Sequence, residues 1–191
     1  MTYKTTITRN SLWYKESKIT VKYMLEGLSK SEINEKTSME NTYQVNTVTR
    51  SKNIANTTYN RMNIFSTNLL EEFLKTDIAS AKIVVLISIM GTDQLFYEFM
   101  NEVFKEHKLL GDKKLTNKSY DKFIEHKKIE SEKIAQWSDE IIKRIRRAFF
   151  TLLRDSGLLT VDNLFKDVYV DYNVQKILNE EGFQKFLEII Q

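Results

Sequence analysis

The residues best suited to bind another molecule are five cations within one predicted helix, residues 138–155. At 100° per residue, the apolar side chains of this segment occupy one arc and the cations occupy the opposite arc. Four of the five are arginines, whose planar guanidinium holds a phosphate through two hydrogen bonds. The pattern predicts a site for a polyanion at Lys143, Arg144, Arg146, Arg147 and Arg154.

The acids of this segment favour the same interpretation. Asp139, Glu140 and Asp155 lie at its ends, so we expect them to stay apart from the cations. Ordinary exposed helices place acids four residues from their cations, and this segment has few such acids between its cations. The alternative interpretation is that the basic side is a solvated helix face with no ligand. Phe150 falls inside the basic arc. We expect it to pack against a neighbouring helix rather than contact a base, because large aromatic side chains are usually buried.

A second polar face is predicted on a helix spanning about residues 50–65. Arginine and asparagine are the side chains that bind guanine and adenine edges in the major groove. A short predicted helix at 30–39 precedes it, as in a helix-turn-helix, but the connection at 41–49 exceeds the usual turn of 3–4 residues. Asparagine is abundant throughout the chain, so compositional bias is the alternative to base recognition. The candidate contacts on this face are Arg50, Lys52, Asn53, Thr57, Asn60 and Arg61.

Catalytic chemistry has few candidate residues. The 191-residue chain contains no cysteine and two histidines, which removes thiol nucleophiles and leaves little for a histidine metal site. His107 and His126 each lie between Glu and Lys, without a second histidine at i+3 or i+4. The motifs of phosphate loops, dinucleotide sites, zinc proteases and serine hydrolases are missing. We therefore expect a non-enzymatic protein with no cofactor and no metal.

The composition favours an all-α fold. The chain has no proline and five glycines, which is typical of helices and not of β-sandwiches. Helices are predicted near 11–25, 30–39, 50–65, 69–74, 79–90, 92–104 and 116–137, then at 138–155, with two short closing helices and one short strand at 168–170. Domains are expected at 1–66, with a helix-turn-helix-like arrangement, and at 67–191, the main helical core, unless the chain forms one continuous domain.

Hydropathy and charge bear on location and partners. The longest apolar run, Ile83–Met90, is too short for a membrane span, which needs about 20 residues. The first residues lack the apolar stretch of a secretory signal, so we expect a cytoplasmic protein with no membrane partner. Residues 1–64 and 112–157 are basic, whereas 65–111 and 158–191 are acidic. The alternation of basic and acidic segments is compatible with binding of a polyanion by the basic ones. Charges spread over a solvated surface would give the same net charge for each segment.

Four stretches, in this order and spacing, resemble the BrxA family of BREX phage-defence systems. They are Tyr3–Arg9 (YKTTITR), Leu25–Leu28, Arg50–Met62 and the helix end Leu153–Leu159 (LRDSGLL). The likeness covers nearly the whole chain. Many relatives are rich in Arg and Ala in the third helix, where this sequence has Asn53, Asn56 and Asn60.

The resemblance implies a small helical accessory protein, similar in part to NusB-type nucleic-acid binders, that works beside a methyltransferase, an ATPase and further BREX subunits. Binding of double-stranded DNA is the implied role, and the family has no catalytic residues to carry over. Two alternatives stay open. One alternative to DNA binding is an adaptor whose acidic blocks face a basic partner, and the other is an RNA binder of the NusB kind.

Overall fold

The computed structural model describes residues 3–191, which form helices and the connections between them. The only β-type pairings within this range are two isolated bridges, Lys114 with Leu164 and Leu159 with Phe165. The predicted all-α class is confirmed. The α-helices are α1 (Tyr14–Leu25), α2 (Lys30–Met39), α3 (Val48–Met62), α4 (Thr67–Lys75), α5 (Ile78–Thr92), α6 (Gln94–Phe99), α7 (Lys105–Leu109), α8 (Asn117–Glu130), α9 (Glu132–Ala135), α10 (Asp139–Ser156), α11 (Tyr172–Glu180) and α12 (Gln184–Ile190). A short 3-10 helix, Thr6–Arg9, precedes them, and a π-helical turn, Met100–Phe104, joins α6 to α7.

The chain divides into two compact units. The first unit comprises the residues up to Ser11, Ile89–Val168 and Lys185–Gln191, and the second comprises Leu12–Ser88 and Tyr169–Gln184. The boundary predicted between residues 66 and 67 falls inside the second unit.

Several helix ends follow directly from capping residues. The Ser29 side chain accepts from the Glu32 amide while Glu32 accepts from the Ser29 amide, which forms a capping box. Thr116 and Ser138, where two of the predicted helices start, are the N-caps of α8 and α10. Gly157 ends α10 in the left-handed region at φ 91°, which costs glycine little because it has no Cβ.

Two helix boundaries differ from the predictions. The first helix begins at Tyr14 rather than at Ser11, since the chain turns at Trp13, whose φ is 54°. The helix opened by Thr116 stops at Glu130 instead of continuing to Trp137. Ser131 there has extended dihedrals, and its hydroxyl accepts from the Ile134 amide to start α9.

The short strand predicted at 168–170 is wrong. These residues lie in an irregular connection, and among the described residues their backbone joins no β-ladder. The bridges form nearer to α10, where the Thr160 amide donates to the Leu164 carbonyl at 2.9 Å. Three β-favouring residues cannot form a strand without a neighbouring strand to hydrogen-bond.

The core of the first unit is aromatic. The Phe99 ring lies 5.1 Å from that of Phe149 and 5.5 Å from that of Phe123, measured between centroids. Tyr120 completes the cluster at 5.8 Å from Phe99, and its hydroxyl donates to the Ile142 carbonyl. These contacts bring α6, α8 and α10 together, so the buried face of α10 is held in one orientation.

The core of the second unit mixes apolar and hydroxyl side chains. Ile33 and Ile54 pack with Trp13 and Tyr43. The buried Thr20 hydroxyl lies 2.8 Å from the Tyr43 hydroxyl and 2.7 Å from that of Thr58. Because every hydroxyl in this network has a partner, the threonine-rich sequence of α3 can face a core.

Helix α5 is the most apolar segment, and Ile83–Met90 within it are buried. No single helix of the described residues is long and apolar enough to cross a membrane. Among the same residues, one bent pair, Ile78–Thr92 with Gln94–Leu109, meets the length and composition criteria together.

Candidate nucleic-acid interface

Helix α10 holds the strongest candidate site, in the first unit. Its apolar face is buried through Ile142, Ile145, Phe149, Leu152 and Leu153. Ile141 and Ala148 belong to the same apolar arc and are half-buried. Because the apolar side is fixed against the core, the opposite side of α10 has to face solvent or another segment.

The five predicted cations do not share one environment. Lys143, Arg144 and Arg147 are exposed, whereas Arg146 and Arg154 are partly covered. The three exposed cations occupy the N-terminal half of the helix, within about 100° of one another around its axis. Arg154 lies about two turns beyond Arg147 along α10.

Two of the cations are paired with acids, contrary to the expectation that acids would stay apart from them. Glu140 contacts Arg144 across one helical turn, at the i,i+4 spacing that favours such pairs. Asp121, on α8, accepts from the Arg146 guanidinium at 2.8 Å. The spacing of Glu140 and Arg144 in the sequence is enough to predict the first pair, but the second forms only because α8 packs beside α10.

The other three cations have no acidic partner among residues 3–191. Lys143 makes no ion pair there, and Arg147 Nε donates at 3.4 Å to the Lys143 carbonyl of its own helix. Arg154 donates to Asn163 Oδ1 at 2.9 Å and to Thr151 Oγ1 at 3.2 Å. Lys143 and Arg147 therefore carry exposed charges that no described carboxylate neutralises.

Phe150 interrupts the basic side of α10. It is 3 % exposed, and its ring centroid lies 6.4 Å from that of Phe99. The prediction that Phe150 packs internally is confirmed. A buried ring cannot stack on a base, so the α10 surface offers charge and hydrogen bonds rather than an aromatic platform.

The predicted α3 site lies in the second unit. Arg50, Lys52, Asn53 and Asn60 are exposed, and Thr57 is half-buried. Arg61 is 4 % exposed, and its guanidinium donates to the Leu12 carbonyl at 3.4 Å. The structure thus places Arg61 among packing residues and the other five on the outer side of α3.

Part of the α3 face is engaged within the chain. Lys30 Nζ donates to Asn60 Oδ1 at 2.9 Å, and Asn34 Nδ2 donates to Asn56 Oδ1 at the same distance. The Arg50 guanidinium lies 4.9 Å from the centre of the Trp13 ring. The connection between α2 and α3 spans residues 40–47, longer than the turn of a helix-turn-helix motif.

Sequence reasoning missed one candidate, Arg9. It is exposed at the end of the Thr6–Arg9 helix, which packs beside α10 in the first unit. It belongs to the opening motif YKTTITR, so the signal was present, but its distance from α10 along the chain concealed the proximity.

The two histidines carry no metal site in the described part of the chain, where no group of His, Asp and Glu is arranged to hold one. His107 Nδ1 lies 2.5 Å from Asp112 Oδ2, which gives it a local ion-pair partner when it is protonated. His126 lies on another helix, α8, and is exposed.

Comparison with known proteins shows which proteins this chain is similar to. The family model described as BrxA matches residues 1–182. A curated relative from Bacillus cereus (strain H3081.97), named BREX protein BrxA, is 40% identical over 157 residues, which are 82% of this chain and 78% of the relative. A crystal structure of an uncharacterized protein from Magnetospirillum magneticum aligns with a TM-score of 0.81 at 20% identity, over 99% of this chain and 98% of that one. At that identity the last match establishes the fold alone.

Proposed function

Since this chain belongs to the BrxA family, we propose that it is a non-enzymatic component of a BREX anti-phage defence system that binds duplex DNA through the phosphates. The observation that carries the DNA-binding proposal is the exposed cation cluster on the N-terminal half of α10: Lys143, Arg144 and Arg147. We call these three residues the α10 cluster.

The α10 cluster suits phosphates because of its charge and its geometry. Lys143 and Arg147 are exposed without an acidic partner in the described range, and Arg144 has only the exposed Glu140 to exchange for a phosphate. An exposed ion pair of this kind contributes little free energy, so replacing it costs little. Each phosphate contact then releases condensed counterions from the DNA, which supplies most of the affinity of non-specific binding.

The α3 face supports a secondary role in the same proposal. Arg50, Lys52 and Asn53 are exposed on α3, and we propose that they and Thr57 add contacts to a duplex. Asn60 Oδ1 already accepts from Lys30, so a base contact through this oxygen has to share or replace that bond. Phosphate contacts fix the position of a protein on DNA, whereas base-edge contacts read sequence. We therefore expect weak sequence preference.

The test is the salt dependence of duplex binding. With Z phosphates neutralised, log K falls against log salt with slope of about −0.9Z. The triple variant Lys143→Gln/Arg144→Gln/Arg147→Gln should reduce the magnitude of that slope by about 2.7. If the plots of log K against log salt for the wild type and the variant meet at about 1 M salt, they differ by about 2.7 decades at about 0.1 M, so binding there should be about 500-fold weaker. Fluorescence anisotropy of a labelled duplex, from 50 to 300 mM salt, measures both quantities.

A matched control removes three other exposed lysines of the same unit. Lys118→Gln/Lys122→Gln/Lys133→Gln changes the net charge equally but leaves the α10 cluster in place. We expect a much smaller change in slope. The proposal fails if the wild-type protein does not bind duplex at 50 mM salt, or if the two triple variants weaken binding equally. Stronger competition by single-stranded RNA than by duplex DNA would favour the NusB-like alternative.

The adaptor role is favoured by a separate observation in the acidic C-terminal block. Tyr169 is 90% exposed and Tyr172 is 76% exposed, which is unusual for aromatic side chains and typical of protein interfaces. Other BREX components, including the methyltransferase and the ATPase, are the partners to test. Tyr169→Ser/Tyr172→Ser should weaken co-purification with the co-expressed partner, while Val161→Ser, also 85% exposed, should not. Retention of the partner by the double variant would argue against this surface.

A further inference from the structure

A cleft in the first unit lies between α10 and the segment that follows the Thr6–Arg9 helix. Its volume is about 490 Å³. One wall carries Arg9, Asn10 and Ser11, and the other carries Arg144, Arg147 and Thr151. Two members of the α10 cluster therefore share a concave surface with a cation that lies 135 residues away from Arg144 in the chain.

The lining of this cleft has the chemistry of an oxyanion site. Three guanidiniums supply fixed charge and paired N–H donors, and the neutral side chains of Asn10, Ser11 and Thr151 add donors that need no counter-charge. Among the described residues that line the cleft there is no carboxylate. The volume exceeds what one ion requires and leaves space for the sugars on either side of a phosphodiester.

The Arg9 wall is anchored before any ligand arrives. The Tyr3 hydroxyl donates to both carboxylate oxygens of Glu98, at 3.0 and 3.1 Å. Ile7 is 3% exposed, and the Asn10 amide donates to the Ile7 carbonyl at 3.2 Å. An anchored wall loses less conformational entropy on binding than a free terminus, which favours affinity.

We propose that this cleft holds neighbouring backbone phosphates of the bound strand, with Arg9 contacting one phosphate in addition to those held by the α10 cluster. The inference rests on the proposed function, because the phosphates are those of the duplex. It assigns to the N-terminal segment a direct role in holding the ligand, beside its packing role on α10.

The test compares two exposed cations of the same segment. Arg9→Gln should reduce the magnitude of the salt slope by about 0.9 and weaken duplex binding at 0.1 M salt by about eightfold, the effect of one phosphate contact. Lys4→Gln removes an equal charge at an exposed position that does not line the cleft, and it should change the slope much less. Arg9→Lys keeps the charge and should keep most of the slope while losing part of the affinity, since a lysine cannot bind bidentately.

The outcomes separate this inference from the proposed function. If Arg9→Gln behaves like Lys4→Gln while the α10 triple variant loses binding, the cleft inference is overturned and the proposed function stands. If the wild-type protein does not bind duplex, both fail.

A free phosphate ion is the other source of the same chemistry. Inorganic phosphate is therefore titrated at constant ionic strength, with thermal stability as the readout. Stabilisation by millimolar phosphate that Arg9→Gln abolishes, together with unchanged duplex affinity in that variant, would show a site for the free ion and overturn the inference. If Arg9→Gln unfolds at a clearly lower temperature than the wild type, the salt slope of Arg9→Lys is the test instead. Because this variant keeps the charge, a reduction of its slope by about 0.9 would contradict the phosphate contact.

Discussion

Lys127 offers the sharpest test of how the first unit is held together. Its ammonium lies 2.8 Å from Glu102, 2.9 Å from Glu130 and 3.1 Å from Glu98, and its side chain is 5% exposed. Burial by itself would lower the pKa of Lys127, but the hydrogen bonds to the three carboxylates outweigh it and raise the pKa. Lys127→Met keeps most of the side-chain volume and removes the charge that these acids share.

The cost of that substitution follows from the exposure of the carboxylates left behind. Removing one partner of a buried ion pair costs about 3–5 kcal/mol, since the remaining charge stays desolvated. Glu102 and Glu130 are 43% and 56% exposed, so water screens them, whereas Glu98 is only 16% exposed. We therefore expect a loss of about 3 kcal/mol, at the lower end of that range. At roughly 2–4 °C per kcal/mol for a chain of this size, the Tm of the protein should fall by about 6–12 °C.

The assay uses the distribution of the two tryptophans. Trp13 belongs to the second unit and Trp137 to the first, so a Trp13→Phe background leaves a fluorophore that reports the first unit. Urea unfolding then gives the free energy directly. Lys128→Met is the matched control, because its exposed pair with Glu125 should contribute less than about 1 kcal/mol. Adding Glu98→Gln to Lys127→Met should restore part of the loss.

Equal costs for Lys127→Met and Lys128→Met would contradict this prediction, as would further destabilisation of the Lys127→Met variant by Glu98→Gln. Either result would mean that the Glu98 carboxylate is not the uncompensated charge. The same substitution also bears on function, because Glu98 accepts from the Tyr3 hydroxyl that anchors the Arg9 wall.

Three further predictions concern single side chains. Burial and the neighbouring Glu98 raise the pKa of Tyr3 from 10.0 to about 12, so the stability that the Tyr3 hydroxyl contributes is complete below pH 10 and is lost as the pH rises toward 12. The difference in 295-nm absorbance between wild type and Tyr3→Phe should have its midpoint near pH 12, and a midpoint at pH 10 would contradict the contact with Glu98. Arg61→Met should cost about 2 kcal/mol in urea unfolding because it leaves the buried Leu12 carbonyl without this donor, whereas Arg50→Met, at an exposed position, should cost less than about 1 kcal/mol. Phe150→Ala should cost about 3–4 kcal/mol as a cavity in the core, with the duplex affinity of the folded protein unchanged; a loss of affinity would mean that the ring contacts the ligand.

Much of the fold could be predicted from local signals. The capping box at Ser29, the cap at Ser138 and the glycine stop at Gly157 depend only on residues within one or two turns, so the sequence was sufficient for them. The start of the first helix could not be predicted, because nothing local announces the left-handed turn at Trp13. The strand at 168–170 failed for a related reason, since β-propensity does not reveal whether a pairing partner is present.

The candidate site shows the same division. The amino-acid sequence alone determined that α10 would have one apolar and one cationic side, because a period of 3.6 residues assigns each side chain to a face. Only the tertiary structure decided which cations stay available. Asp121 on α8 pairs with Arg146, and Arg61 is buried in the second unit. Arg9 lines the same cleft as Arg144, although the two residues are far apart in the chain. Charge neutralisation and concavity depend on distances between segments remote in sequence, and periodicity within one helix holds no information about those distances.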